Sequence, residues 1–197
     1  MRLNFLNRKS PSGKFPYTIK RSRRRTIGIE VTADGVLVRA PQRASTGEIQ
    51  RAVASAEGWI EERMKRLEGE QQRAVRAGLL SEEDIARLTA RAKKYIPGRV
   101  AHYAPLIGVE PGRITIRKQK TKWGSCSSKG NLNFNCLLML APPEVIDAIV
   151  VHELCHLKQM NHSKKFYDEV LRVFPEYRKW NKWLRDNGGV LMQRAGH

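Results

Sequence analysis

Two periodicities divide this chain. From residue 15 to 40 the apolar positions fall in short β-branched runs: Tyr17-Thr-Ile19, Thr26-Ile-Gly-Ile-Glu-Val31 and Val36-Leu-Val-Arg-Ala40. They predict three strands, with Ala33-Asp34-Gly35 as a hairpin turn and Pro41 as the end of the third. At Ser45-Thr46 the period changes. Ile49, Ala52, Val53, Ala56, Trp59, Ile60 and Met64 recur at helical spacing. A polar stretch follows from Glu68 to Gly78. Ser81-Glu-Glu-Asp84 then supplies a cap and an acidic first turn for a second helix. Its apolar stripe is Ile85, Leu88, Ala92, Tyr95 and Ile96, and Pro97-Gly98 should interrupt or kink it.

Further on, Arg113-Ile-Thr-Ile-Arg-Lys118 alternates as a half-exposed strand does. Lys129-Gly130-Asn131 reads as a turn. Leu132 to Leu140 reads as another strand, stopped by Ala141-Pro-Pro143. Glu144 to Met160 predicts a helix that is apolar nearly all round, hence buried. Ser163 to Asn187 predicts a last long helix, closed by Asn187-Gly188-Gly189. The expected class is α+β: an N-terminal β-hairpin region, then antiparallel strands packed on a buried active-site helix and a long C-terminal helix. A soft division separates 1–110, the hairpin and helical region, from 111–197, the catalytic region.

Composition leaves this picture intact, because 41% hydrophobic and 28% charged residues are ordinary for a folded chain. Charge adds to it. Lys plus Arg number 37 against 19 Asp plus Glu, a net +18. Such a surface attracts polyanions, and nucleic acid is one partner it allows. The densest cationic run is Lys20-Arg-Ser-Arg-Arg-Arg25. The last helix interleaves Arg178, Lys179, Lys182 and Arg185 with Tyr177, Trp180 and Trp183, aromatics whose spacing fits inward packing. Cys126, Cys136 and Cys155 are an odd set without paired C-x-x-C spacing. The start, Met1 to Lys9, lacks an apolar signal core, and no run is long enough to span a bilayer. The expectation is a cytoplasmic protein without a membrane partner.

The chemistry lies in His152-Glu153-Leu154-Cys155-His156. Residues four apart on a helix sit about 40° apart around the axis and about 6 Å along it. Two imidazoles so placed can share one zinc ion, and the intervening glutamate can reach a water on that ion. His162 lies six positions beyond His156, on the wrong side of a continued helix. It can be a third ligand only if the helix stops first. Asn161, tolerant of the left-handed conformation, is the expected stop, and Ser163 the cap of the next helix. The competing arrangement takes a carboxylate from Asp168, Glu169 or Glu176. Tyr167 and Arg178 are candidates for a second electrophile.

Four segments carry a family resemblance: Lys122-Trp-Gly-Ser-Cys-Ser127, Gly130-Asn-Leu-Asn-Phe-Asn135, Val150-Val-His-Glu-Leu-Cys-His-Leu157, and Asn161-His-Ser163 with Phe166. Together they resemble the YgjP-like metallopeptidases, whose SprT-like relatives share the metal-binding helix. The resemblance runs over about 15–190 and is strongest over 120–167. It implies a zincin-like fold, a zinc ion, His152, His156 and His162 as ligands, and Glu153 as the catalytic residue. Cys136 departs from the bulkier residue expected there. Trp123, Ser125 and Cys126 are expected to serve packing, as a turn and a tryptophan behind the metal helix. The function expected is zinc-dependent hydrolysis, of a protein or peptide. The alternatives are hydrolysis of a nucleotide phosphoanhydride, or nucleic-acid association with a structural metal.

Overall fold

The computed structural model describes residues 6–32 and 34–196, with side chains from Arg8 onward. The N-terminal five residues and Ala33 of the expected turn lie outside the described residues. The chain forms two compact units, 1–72 and 73–197.

The first unit holds strands β1 (Leu6–Lys9), β2 (Pro16–Ser22), β3 (Gly28–Thr32) and β4 (Gly35–Pro41), and most of helix α1 (Thr46–Arg76). The sheet order is β1-β2-β4-β3; β3 and β4 are antiparallel, while β2 and β4 run parallel. Alternation sends Tyr17, Ile19, Val36, Val38 and Ala40 to one face, where they form a core with Ile49, Val53 and Ile60 of α1. Trp59 does not join them and is 51% exposed. It neighbours Ile60 in sequence, about 100° round the helix from the buried stripe. Ser45 caps α1: its hydroxyl accepts from the Glu48 amide, and the Glu48 carboxylate accepts from the Ser45 amide. The helix continues through the polar stretch after Glu68. That stretch has no proline and is rich in good helix formers. It ends where Gly78 turns to a φ of 84°.

The second unit contains α2 (Glu82–Ile107), β5 (Ile114–Arg117), β6 (Gly124–Cys126), β7 (Leu132–Asn135), a short 3-10 helix (Cys136–Leu140), α3 (Pro143–Cys155), α4 (Lys164–Val173) and α5 (Tyr177–Arg194). The α+β class expected from the sequence is the class observed. The sheet order is β5-β7-β6; β6 is antiparallel to β7, and β5 is parallel to it. Helix α2, which the sequence places on the N-terminal side of a division at 110, lies in the unit that begins at 73. Its buried stripe from Ile85 to Ile107 joins one core with α3. Arg99 donates to both carboxylate oxygens of Asp147, at 2.6 and 2.9 Å, and the Tyr103 hydroxyl donates to the same carboxylate. These bonds fix the rotation of α3 against α2. Pro97 costs α2 one backbone bond without ending it.

Several boundaries differ from the expected ones. The strand from Leu132 stops at Asn135, whose side chain accepts from the Leu137 amide and turns the chain into the 3-10 helix. The expected last helix is two, because Pro175 follows Phe174 and breaks it. Helix α5 then runs through Gly188-Gly189, the pair expected to close it. Among the described residues no helix is long and apolar enough to cross a membrane.

Candidate metal centre

Helix α3 is buried along most of its length, and His152 and Glu153 lie in its last turn. The helix stops at Cys155, with His156 as its C-cap in right-handed conformation. The Gln159 amide donates to the Cys155 carbonyl, and the His156 Nδ1 donates to the Gln159 carbonyl at 3.0 Å. This tight turn brings His162 back over the helix end. Asn161 is not left-handed; among the described residues only glycines have positive φ. Ser163 stands at the cap of α4 as expected, but its side chain makes no capping bond.

The result is a convergence of three rings. The His152 Nε2 lies 3.2 Å from the His156 Nε2 and 3.1 Å from the His162 Nε2. Two nitrogens bound tetrahedrally to one zinc ion at 2.0–2.1 Å are about 3.3–3.4 Å apart. These two spacings fit one shared ion, and the ligand atoms of all three residues lie within 4.8 Å of one another. Phe166 is fully buried beneath the trio, its ring centroid 4.6 to 5.0 Å from all three imidazoles. Burial, with His156 and His162 beside it, pushes His152 down to about 3. Burial lowers His156 as well. Metal ligation needs neutral imidazole, so this environment favours the binding form.

Glu153 points off the ligand face. It is 5% exposed, and its Oε2 is buried without a hydrogen-bond partner. Burial pushes its carboxyl up to about 7, against the opposing pull of Lys122. Strand β6 covers it. A Cβ built on Gly124 would stand 2.6 Å from the Glu153 Cγ and Oε1, so only glycine lets this strand come so close. The strand is held there by Asn135, whose amide donates to the carbonyls of Gln119 and Lys122 at 2.8 and 2.9 Å.

A family model described as the YgjP-like metallopeptidase domain matches residues 84–187. The chain belongs to this YgjP-like family. Among curated proteins, the UTP pyrophosphatase of Escherichia coli (strain K12) is 33% identical over 58 residues, which are 29% of this chain. The match spans 35% of that relative's length. Among solved structures, the metallopeptidase zymogen jannalysin of Methanocaldococcus jannaschii is 27% identical, with a TM-score of 0.42, over 46% of this chain and 93% of that one. The metallopeptidase zymogen abylysin of Pyrococcus abyssi is 25% identical, with a TM-score of 0.42, over 46% and 92%.

The YgjP-like segments meet at this centre. The Trp123 side chain packs against Gly188 of α5, whose absent Cβ would stand 3.0 Å from the indole. The strand that follows Trp123 covers Glu153. The competing carboxylates are engaged elsewhere. Asp168 pairs with Lys164, Glu169 with Lys158 and Arg172, and Glu176 with Lys179. Arg178 is exposed, with no bond to the centre. Tyr167 stands beside it, its ring 6.2 Å from that of His162. Cys136 and Cys155 are buried and Cys126 is half-buried; all three are free. Burial pushes the Cys155 thiol up to about 12, as befits an unreactive core residue.

Sequence reasoning did not single out Phe166, Gly124 or Tyr177 as parts of this site. Phe166 and Gly124 both stand in segments that carry the family resemblance, but nothing local to them says that the one packs beneath the imidazoles or that the other faces Glu153. Tyr177 is buried at the start of α5, as its inward packing predicts, and its hydroxyl lies 2.8 Å from the His152 Nδ1.

Proposed function

We propose that this YgjP-like protein is a zinc-dependent hydrolase acting as a metallopeptidase, with His152, His156 and His162 as ligands and Glu153 as general base. The observation that carries the reading is the spacing of the three Nε2 atoms beside a buried carboxylate with one unpaired oxygen. Family membership supports a divalent metal and hydrolysis at the coarser level. Three neutral histidines would leave zinc its full charge and one open position, where it would bring a water's pKa to about 7 and polarise a carbonyl.

The residues divide the remaining work. Glu153 accepts the proton of the attacking water and returns it to the leaving amine. Burial raises this carboxyl in the metal-free protein, and a more basic carboxylate accepts a proton more readily; a bound cation would draw it part of the way back. The apolar wall of α3 and Phe166 limits water around it and strengthens the electrostatics of the site. Strand β6 is an edge strand, and an extended peptide can pair with such an edge through its backbone. This geometry favours a peptide substrate.

A second reading is hydrolysis of a nucleoside triphosphate. It is favoured by the 58-residue match to a UTP pyrophosphatase and by the net charge of +18. Zinc-loaded protein incubated separately with casein and with UTP distinguishes the two. In either case Glu153→Gln should retain zinc and lose turnover by more than about a hundredfold. Wild-type turnover in that variant would remove Glu153 from the role. Full zinc occupancy in His156→Ala would overturn the ligand set.

A further inference from the structure

We propose that Tyr177 is the positioning residue of this centre, its hydroxyl orienting the His152 ring for metal capture by accepting a hydrogen bond from Nδ1–H. The inference rests on the trio being the zinc site. A neutral imidazole that ligates through Nε2 must carry its proton on Nδ1. What each Nδ1 faces therefore decides whether the ring is ready to bind.

The three rings differ in this respect. The His156 Nδ1 faces the Gln159 carbonyl at 3.0 Å. A carbonyl only accepts, so that nitrogen holds the proton and the Nε2 lone pair is fixed towards the site. His162 makes no Nδ1 bond among the described residues; its ring meets the His152 Nε2 through its own Nε2. The His152 Nδ1 faces the Tyr177 hydroxyl at 2.8 Å, and a hydroxyl can donate or accept. The His152 Nε2 meets both other Nε2 atoms. In the metal-free protein His152 can place its proton on Nε2 and donate to a neighbouring ring, with Tyr177 donating to Nδ1. With metal bound, the Nε2 proton must leave that nitrogen. Tyr177 then turns its hydroxyl and accepts from Nδ1–H. The balance is a single proton shifted between the two nitrogens of one ring.

Tyr177 is held in place for this task. It is 3% exposed and is the first residue of α5, directly after the Pro175 break. Its amide donates to the Phe174 carbonyl, and its ring lies 16° from parallel to that of His152. The α3–α4 turn that presents His162 and the start of α5 that presents Tyr177 thus flank His152 on opposite nitrogens. An outer partner of this kind typically changes metal affinity by about 10- to 100-fold.

The test uses the full chain with Tyr177→Phe, which keeps the ring and removes only the acceptor. Zinc affinity is measured by competition with a chromophoric chelator, and the thermal midpoint is measured with metal removed. The expected result is zinc affinity weaker by about 10- to 100-fold, with the metal-free midpoint lowered by no more than about 4 °C, the loss of one buried hydrogen bond. Affinity within about twofold of wild type overturns the inference while leaving the zinc reading intact. A metal-free midpoint lowered by clearly more than that also overturns it, because that is the signature of lost packing. Wild-type protein that takes up no more zinc than His156→Ala would overturn the zinc reading, and this inference with it.

Discussion

Replacing Glu153 by glutamine should stabilise the metal-free protein at alkaline pH and leave no such gain at acid pH. The carboxyl is 5% exposed with an unpartnered oxygen, and burial raises it from 4.5 to about 7. The folded state then holds the proton more tightly than the unfolded chain does. Between those two pKa values the folded state binds more protons, so stability falls as pH rises. The penalty is absent below about 4.5 and complete above about 7. A rise of about 2.5 units, at about 1.36 kcal/mol each, gives a cost on the order of 3 kcal/mol for keeping the glutamate ionised in its pocket. Glutamine has no such titration, and every other group is common to both proteins. Relative to wild type, the variant should therefore gain about 3 kcal/mol between pH 4.5 and pH 8. That corresponds to roughly 6–12 °C in thermal midpoint for a chain of this size. The assay is a series of melts in chelator across that range, compared as differences between the two proteins. An amide that finds poor partners adds a constant offset, so only the pH-dependent part counts. A difference that stays flat with pH would refute the desolvation argument, and with it the physical support for the proposed role of Glu153. With zinc bound, the nearby cation favours the carboxylate, and the gain should shrink.

Two further substitutions probe how the site is held. Gly124→Ala places a methyl 2.6 Å from the Glu153 Cγ and Oε1, so the carboxylate must swing away; zinc content should be retained while kcat falls by more than about tenfold, and an unchanged kcat would show that the strand yields instead. Asp147→Ala leaves the Arg99 guanidinium, 28% exposed, without its bidentate partner. The expected loss is about 2 kcal/mol, below the cost of a fully buried pair because solvent still reaches the arginine. It is read from urea unfolding, and a midpoint within error of wild type would show that apolar packing alone registers α2 against α3.

Helical periodicity made the histidine pair legible, and it made the break before His162 necessary for that ring to join them, because a continuous helix would turn it away. It did not say how the chain breaks. Asn161 was the local candidate for a left-handed stop, yet the helix ends a full turn earlier, and the His156 ring closes the turn on the Gln159 carbonyl. The glycines show the same limit from another side. Gly188-Gly189 has the local form of a helix stop, but Gly188 lies inside α5, where a missing side chain admits the Trp123 indole. Gly124 admits the edge strand to Glu153 in the same way. A glycine that frees φ and a glycine that makes room look identical in the sequence; only the partner distinguishes them, and here the partners lie 65 and 29 positions away. Tyr177, 25 positions from His152, is a third instance. The histidine pair follows from the repeat of one helix, whereas the groups packed against it and against Glu153 are set by how strands and helices close over each other. Substitutions at Gly124 and Tyr177 should therefore alter the chemistry of a helix they do not belong to.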